Sequence, residues 1–373
     1  MSISEEMYLH YHGLIVPKET HSYESLEFAQ GFKFEDDDVL AVTYPKSGTI
    51  WMQEILPLVL NGGDLTPIHT IPNWERVPWL EEKQLARVVD KLASPRALVS
   101  HFPYNLMPPS FCTSKAKVIY VMRNPKDIMV SSYYFHQMAG FLEDPGTFDE
   151  FMDKFLEGKV MFGKWTDHVK NWKNSELGDR IMYITYEEMA QDLPAALRRI
   201  SDFLGCNLTE EVIQKVAEHC SFKSMQNNNM SNFSLIPKVY LDHDKSPFLR
   251  KGIAGDWKNH FSSEQLTRFT SVISKELEGT IWMQEILPLV LNGGDLTPIH
   301  TIPNWERVPW LEEKQLARVV DKLASPRALV SHFPYSLMPP FLLCLQSKGD
   351  LRHEEPKGHH GVFILLPPDG WLP

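Results

Sequence analysis

The sequence has few cysteines, no long apolar run and no basic N-terminal leader. Its four cysteines, Cys112, Cys206, Cys220 and Cys344, do not have the spacing of a metal site. The N-terminus lacks the basic and apolar regions of a secretory signal, and no apolar run reaches the length of a membrane span. These absences predict a reduced, cytoplasmic protein without a membrane partner.

An excess of positive charge is also missing. The formal net charge is −11 at pH 7, which argues against a nucleic-acid-binding protein because such proteins carry a basic stripe. Basic residues are instead placed locally, at Lys46, Arg123, Lys126, Arg250 and Lys251. An acidic chain with a focused basic site suits a small anionic ligand.

Apolar segments of strand length alternate with helical patterns. Strands are predicted at residues 39–43, 97–102, 117–122 and 180–185, and helices at 50–60, 127–138, 148–157, 193–203 and 209–219. This alternation predicts an α/β fold, a single domain whose central parallel sheet is covered by helices. Ligands bind beyond the carboxyl ends of such strands, where Lys46, His101 and Arg123 lie.

The run TYPKSGT at residues 43–49 joins a predicted strand to a predicted helix. Such a turn directs backbone N–H groups, the positive end of the helix dipole and Lys46 at one point, which makes an anion cradle. The lysine precedes the glycine, whereas the P-loop of nucleotide triphosphatases has the lysine after its second glycine. The loop is therefore predicted to bind a phosphate-like group in a different way.

Three further segments follow in order: SHFPYNLMP at residues 100–108, VMRNPKDIMVS at 121–131 and FLRKGIAGDWK at 248–258. Together with the loop they resemble the signature segments of the cytosolic sulfotransferases, which use 3'-phosphoadenosine 5'-phosphosulfate (PAPS). The resemblance extends over roughly residues 14–277. It implies transfer of a sulfuryl group from PAPS to a hydroxyl group of a small acceptor, without a metal ion.

The resemblance also implies a set of PAPS-binding residues. The 5' end would contact Lys46, Ser47, Gly48, Thr49 and Ile50; the 3'-phosphate would contact Arg123, Ser131, Arg250, Lys251 and Gly252; and adenine would lie among Trp51, Tyr186 and Phe222. Arginine suits a phosphate because its planar group donates two parallel hydrogen bonds. The alternatives are a structural ion pair of Arg123 with Asp127 and ordinary core packing of the aromatic residues.

In this family the histidine at the position of His101 is the general base, a role that suits imidazole near neutral pH. Lys46 would stabilise charge on the bridging oxygen. Residues resembling the acceptor pocket of the hydroxysteroid branch are Trp74, Trp79, His101, Phe135 and Phe233. A broad aromatic pocket favours flat, apolar alcohols, with hydroxysteroids as the first expectation; plain hydrophobic core is the alternative for each aromatic residue.

The family's dimerisation motif is altered here. The segment at residues 258–267 has Ser262, Ser263 and Thr267 where the motif has a threonine, a valine and a glutamate. Both the apolar residue and the charge are lost, so the sequence argues against a homodimer.

Residues 48–109 recur as residues 279–340, and the one difference is Asn105 against Ser336. The second copy lacks the strand and lysine that precede the first, so it is predicted to be catalytically silent. We therefore predict a sulfotransferase domain at residues 1–279, a non-functional partial copy at 280–340 and an unrelated tail at 341–373, in which neither a helix nor a strand pair is expected. Partial gene duplication, an aberrant transcript and an error in gene prediction remain open as origins.

Two other functions compete with sulfuryl transfer. A nucleotide kinase could use the same strand, loop and helix, although the glycine–lysine order argues against it. A non-catalytic protein would result if the repeated segment spoiled folding or covered the site.

Overall fold

In a computed structural model, the structure describes residues 6–277, 327–331, 351–352 and 361–365. The chain forms two compact units, Met1–Ser262 and Ser263–Pro373, which are described separately. The domain limits at residues 279 and 340 remain predictions. Among the described residues, no helix is both long enough and apolar enough to cross a bilayer.

The first unit is built on a parallel sheet. The strands of this unit are β1 (Tyr8–Tyr11), β2 (Leu14–Pro17), β3 (Val39–Thr43), β4 (Ala97–Ser100), β5 (Lys117–Met122) and β6 (Ile181–Thr185). Strands β1 and β2 form an antiparallel hairpin, and the other four form a parallel sheet in the order β4-β3-β5-β6. The α/β class and the four predicted sheet strands are confirmed.

The order of the strands determines where a ligand can bind. Every residue of β3 is buried, as expected for a parallel strand with both faces covered. The chain passes from β3 to β4 on one side and then to β5 on the other. Such a reversal leaves a crevice at the carboxyl ends of the strands. The loops after β3, β4 and β5 therefore open side by side.

Helices cover the sheet. They are α1 (Tyr23–Gly31), α2 (Thr49–Leu60), α3 (Thr66–Thr70), α4 (Asn73–Arg76), α5 (Leu85–Val88), α6 (Pro109–Thr113), α7 (Pro125–Met138), α8 (Phe148–Glu157), α9 (Trp165–Lys173), α10 (Tyr186–Gln191), α11 (Leu193–Leu204), α12 (Glu210–His219) and α13 (Phe222–Gln226). The five helices predicted from the sequence are among them. Thr209 and Asn124 cap α12 and α7 by accepting a backbone N–H.

Helix α2 is almost entirely enclosed. Met52, Ile55, Leu56 and Val59 are buried with residues of β3, β4 and β5 in one hydrophobic cluster. Burying a side chain of this size stabilises the fold by about 1.5–3 kcal/mol. The loop that precedes α2 is therefore attached to a rigid element.

The second unit contains α14 (Ser263–Leu277) and strands β7 (Arg327–Ser331), β8 (Leu351–Arg352) and β9 (Gly361–Leu365). These strands form an antiparallel sheet in the order β7-β9-β8. The expectation of no strand pair beyond residue 340 is wrong at residues 351–352 and 361–365, where short extended segments pair. His332, the counterpart of His101 in the second copy, lies outside the described residues.

Candidate active site

A cavity of about 600 Å³ opens at the carboxyl ends of β3, β4 and β5. Its walls include all but one of the site residues predicted from the sequence: Lys46, Gly48, Thr49, Ile50, Trp51, Trp74, Trp79, His101, Arg123, Ser131, Phe135, Tyr186, Phe222, Phe233, Arg250, Lys251 and Gly252. Ser47 is fully buried in the loop beneath. The four sequence segments thus meet in one place, at a size typical of small-molecule sites.

The loop between β3 and α2 has the backbone of an anion cradle. Lys46 and Gly48 have positive φ values of 70° and 115°, and a Cβ on Gly48 would lie 3.2 Å from the Tyr186 ring. No side chain caps the first turn of α2, so its N–H groups are available. The Ser47 hydroxyl is buried without a hydrogen-bond partner. The Thr49 hydroxyl, in contrast, lies 2.7 Å from that of Thr43.

Lys46 lies at the junction between a cationic and an aromatic wall. Its Nζ is 4.1 Å from the centre of the Phe135 ring and 4.7 Å from that of Phe248. Burial, reinforced by the charges of Arg123 and Arg250, lowers the pKa of Lys46 to about 7. A bound anion would favour the charged form.

His101 follows β4 and is held at both ring nitrogens. Nδ1 lies 2.7 Å from the Thr43 carbonyl oxygen, which can only accept, so this nitrogen carries the proton. The Trp79 indole N–H donates to Nε2 over 3.1 Å. Burial lowers the pKa of His101 to about 4, opposed by the Thr43 hydrogen bond and assisted by the Lys46 charge. His101 is therefore neutral near pH 7, with Nε2 as the basic atom.

Glu81, which the sequence did not single out, fixes the backbone of His101. Its Oε1 accepts the His101 N–H over 2.7 Å, and its Oε2 accepts the Ser100 hydroxyl over 2.8 Å. The carboxyl group is fully buried, and this burial raises its pKa to about 7. The pair Glu81-Glu82 next to Trp79 was the available signal, but charged residues are usually exposed.

Arg123 faces the cradle from the end of β5. One of its terminal nitrogens donates to the Lys46 carbonyl oxygen over 2.8 Å, and its guanidinium lies 4.0 Å from the centre of the Tyr186 ring. Its Nε is buried without a partner. The alternative ion pair with Asp127 is not formed, because Asp127 accepts the N–H groups of Gly255 and Trp257 over 2.7 and 3.0 Å.

Asp127 thereby attaches the glycine-rich segment to α7, and Asp256 orders its cations. Asp256 pairs with Arg250 over 2.7 Å and with Lys251 over 2.6 Å. Arg250 therefore both forms a structural ion pair and lines the cavity. The backbone of Gly252 lies against Phe222 so closely that a Cβ would come within 2.0 Å of the ring. A side chain at this position would displace Phe222.

The aromatic residues predicted to hold adenine lie next to these cations. Trp51 contacts the edge of Tyr186, with ring centres 5.3 Å apart, and its indole N–H donates to the Cys220 carbonyl oxygen over 2.9 Å. Phe222 begins α13, two residues after Cys220. The three rings line one end of the cavity, and aromatic rings of this kind can stack on a planar base.

The opposite end of the cavity is apolar. Trp74 and Phe233 have ring centres 5.2 Å apart, and Phe233 stacks on Phe248 at 4.2 Å. Lining residues that the sequence reasoning missed are Phe141, Met161, Phe162, Tyr240, Leu241 and Phe248. They come from loops without a periodic pattern, so only Phe248, which adjoins the Leu-Arg-Lys-Gly run, carried a sequence signal.

A buried polar network joins the two walls of this apolar half. Glu54, on α2, accepts hydrogen bonds from Arg76 and, over 2.5 Å, from the Ser231 hydroxyl. Asn73 N–H donates to the Met230 carbonyl oxygen over 2.9 Å. The segments bearing Trp74 and Phe233 are thus connected through one buried carboxylate.

Potential metal ligands occur elsewhere in the part of the chain that the structure describes. The group found is Glu35, Asp37 and Asp38, and none of these residues lines the cavity. Asp38 already pairs with Arg96 over 2.5 Å.

The sulfotransferase domain family matches residues 36–279 and, a second time, residues 278–348. The chain belongs to the sulfotransferase family. Sulfotransferase 2B1 of Mus musculus is 47% identical over 273 residues, which cover 73% of this chain and 81% of that protein. The 3-beta-hydroxysteroid sulfotransferase of Cavia porcellus is 39% identical over 272 residues, covering 73% and 94%.

Solved sulfotransferase structures have the same fold. Mouse sulfotransferase SULT7A1 complexed with PAP superposes with a TM-score of 0.63 at 26% identity, covering 77% of this chain and all of that chain. Retinol dehydratase in a complex with retinol and PAP gives a TM-score of 0.63 at 25% identity, covering 74% and 91%. The unit that forms the cavity therefore has the sulfotransferase fold, and the protein is an enzyme of this family.

Proposed function

We propose that this sulfotransferase transfers the sulfuryl group of PAPS to the hydroxyl group of a lipophilic alcohol, with a hydroxysteroid as the preferred acceptor class. The observation that carries the proposal is the meeting of Lys46, His101 and Arg123 in one cavity with a cationic end and an apolar end. The solved relatives bound to PAP support the nucleotide, and the hydroxysteroid relative supports the acceptor class.

The cationic end of the cavity fits PAPS. The Ser47 hydroxyl and the Arg123 Nε are buried polar groups without partners, and each would gain one from a phosphate oxygen. Gly252 lets the backbone of the 248–258 segment pack directly on the Phe222 ring, which holds Phe222 in place as a surface for a base. Arg123, Ser131, Arg250 and Lys251 would read the 3'-phosphate, and Trp51, Tyr186 and Phe222 would hold adenine.

His101 would act as the general base. Its Nε2 is the unprotonated nitrogen and faces the cavity, so it can take the proton of an acceptor hydroxyl as the oxygen attacks sulfur. Positioned acid–base groups of this kind contribute about 10²- to 10⁴-fold in rate. The Thr43 carbonyl oxygen, 2.7 Å from Nδ1, would stabilise the imidazolium that forms.

Lys46 and the first turn of α2 would stabilise the negative charge that develops on the phosphate oxygen as the bond to sulfur breaks. The lysine is pre-positioned by Phe135 and Phe248, and preorganised donors of this kind supply a large share of catalysis. The protein would therefore need no metal ion for this step.

The apolar end suits a flat acceptor with one reactive hydroxyl group. Trp74, Trp79, Phe135 and Phe233 line it, and His101 lies beside it. The second copy at residues 280–340 would not catalyse the reaction. It is preceded by Leu277 and Glu278, whereas the first copy is preceded by Lys46 and Ser47. We further propose a cytoplasmic location and no homodimer formed through the altered motif.

The decisive experiment incubates the full-length protein with sulfur-labelled PAPS and an acceptor panel of 3-hydroxysteroids, simple alcohols and phenols. We expect label in the steroid products first and phenols last. Transfer of phosphate from ATP with magnesium, and none of sulfate, would favour a kinase. Absence of both activities, together with activity in a chain ending at Glu278, would mean that the tail blocks the site.

A further inference from the structure

The indole of Trp79 occupies the atom of His101 that the proposed base needs. Nδ1 of His101 donates to the Thr43 carbonyl oxygen over 2.7 Å, and Trp79 Nε1 lies 3.1 Å from Nε2. A neutral imidazole has one nitrogen lone pair in the ring plane, and an indole N–H can only donate. In this structure the lone pair is therefore already used.

Backbone pairing holds the two side chains together. Residue 79 forms a parallel bridge with Val99 of β4. The Val99 N–H donates to the Pro78 carbonyl oxygen over 3.0 Å, and the Leu80 N–H donates to the Val99 carbonyl oxygen over 2.8 Å. His101 lies just beyond the same strand. Trp79 is only 8% exposed, so its contact with His101 is part of the packed cavity wall.

Building on the proposed function, we propose that Trp79 is a positioning residue that caps the base. Its N–H would hold the His101 lone pair until the acceptor hydroxyl, arriving from the apolar half of the cavity, displaces it. Proton transfer could then follow only when an acceptor fills the site. This role is separate from the apolar contact that the Trp79 ring offers to an acceptor.

The test uses diethyl pyrocarbonate, which acylates the free lone pair of neutral imidazole, on the full-length protein without acceptor. Trp79→Phe removes the N–H and keeps an aromatic ring. We expect His101 to be modified about threefold to tenfold faster, the factor that corresponds to one hydrogen bond. Mass spectrometry separates the His101 peptide from the His332 peptide because the first contains Asn105 and the second contains Ser336.

A second readout is the pH profile of kcat/KM, which reports the free enzyme, in which Trp79 still contacts His101. An N–H donor to Nε2 stabilises the neutral imidazole, so its removal should shift the acid limb to higher pH. A role as cavity wall alone would change acceptor binding without moving that limb. The matched control is Trp310→Phe in the second copy, which should leave both readouts unchanged.

If Trp79→Phe does not fold, Trp79 is replaced by 3-benzothienylalanine. This residue has sulfur in place of the indole N–H and keeps the shape of the side chain. Unchanged His101 reactivity and an unmoved acid limb in the folded variant would overturn the cap. Failure of the proposed function can be distinguished from failure of the cap. Full turnover in His101→Ala would show that His101 is not the general base. Faster modification of His101 in Trp79→Phe, in contrast, is measured without turnover.

Discussion

Residues 96–100 and 327–331 have the same sequence, Arg-Ala-Leu-Val-Ser, in two different structural settings. In the first, β4 pairs in parallel with β3, Val39 opposite Ala97. In the second, β7 pairs antiparallel with β9, Ala328 opposite Ile364. The apolar pattern therefore determines that the segment is a strand, while the neighbouring sequence determines its partner and direction.

The same distinction applies to function. The first copy follows a buried strand and a lysine-containing loop, whereas the second follows α14, with Leu277 where the first has Lys46. A parallel partner requires a crossover helix that returns the chain to the same sheet, and α2 provides it between β3 and β4. This sequence difference predicts that catalysis depends on residues outside the repeated segment.

The largest expected difference between the copies is at the histidine. His101→Ala should lower turnover by roughly 10² to 10⁴, the usual cost of losing a positioned general base, while PAPS binding stays near that of the parent. His332→Ala should leave turnover unchanged. Turnover and equilibrium PAP binding are measured for both variants. Equal losses of turnover in the two variants would contradict the prediction that the second copy is catalytically silent.

A stability comparison uses the buried carboxylate. Glu54→Ala leaves Arg76, whose side chain is 2% exposed, without its anion, so the free energy of unfolding should fall by about 3–5 kcal/mol. Glu285→Ala, the same change in the second copy, should have a much smaller effect. Urea unfolding followed by tryptophan fluorescence measures both. A similar loss in both variants would show that the second copy also buries this glutamate against a cation.

Much of the fold and most of the residues that line the candidate site could be predicted from the sequence. Strand β3 is a continuous apolar run that is buried throughout, and helix α2 is largely apolar and buried, so local pattern and burial agree. The positions of Lys46, His101 and Arg123 then follow from the rule that parallel strands end together.

What the sequence did not provide were the residues whose roles arise from long-range contacts. Glu81, Asp127, Asp256 and Glu54 are charged residues, and their sequence neighbours do not indicate that they are buried or partnered. The β8–β9 pair was missed because its strands are short and lie among prolines and glycines, which ordinarily indicate loops.

A smaller effect is expected at the 3'-phosphate. Arg123→Ala should weaken PAPS binding by about 1.5–3 kcal/mol, the scale of hydrogen bonds to charged groups. An analogue lacking the 3'-phosphate should bind the variant almost as well as it binds the parent. Arg250→Ala should behave likewise, with an added cost because Asp256 loses a partner. Calorimetry with both ligands checks this; equal weakening for both would mean that the arginines only support the fold.

The smallest expected effect is the pH dependence of PAP binding. It involves Lys46, whose counterpart before the second copy is Leu277. Burial first, and then the charges of Arg123 and Arg250, lower the pKa of Lys46 to about 7, and a bound anion raises it again. The free enzyme is thus charged at Lys46 below pH 7, and binding needs no extra proton there. Above pH 7 binding must take up a proton, so PAP affinity should fall by up to about tenfold per pH unit.

The phosphates of the ligand complete their own titration near pH 6, which leaves the range from pH 7 to 9 to the lysine. Lys46→Leu introduces the residue that precedes the second copy. It should bind PAP more weakly at pH 6 and show no further fall above pH 7. Kd is measured from pH 6 to 9 at constant ionic strength for parent and variant. A parent whose affinity stays flat across this range would rule out the shifted lysine as the group that binds the anion.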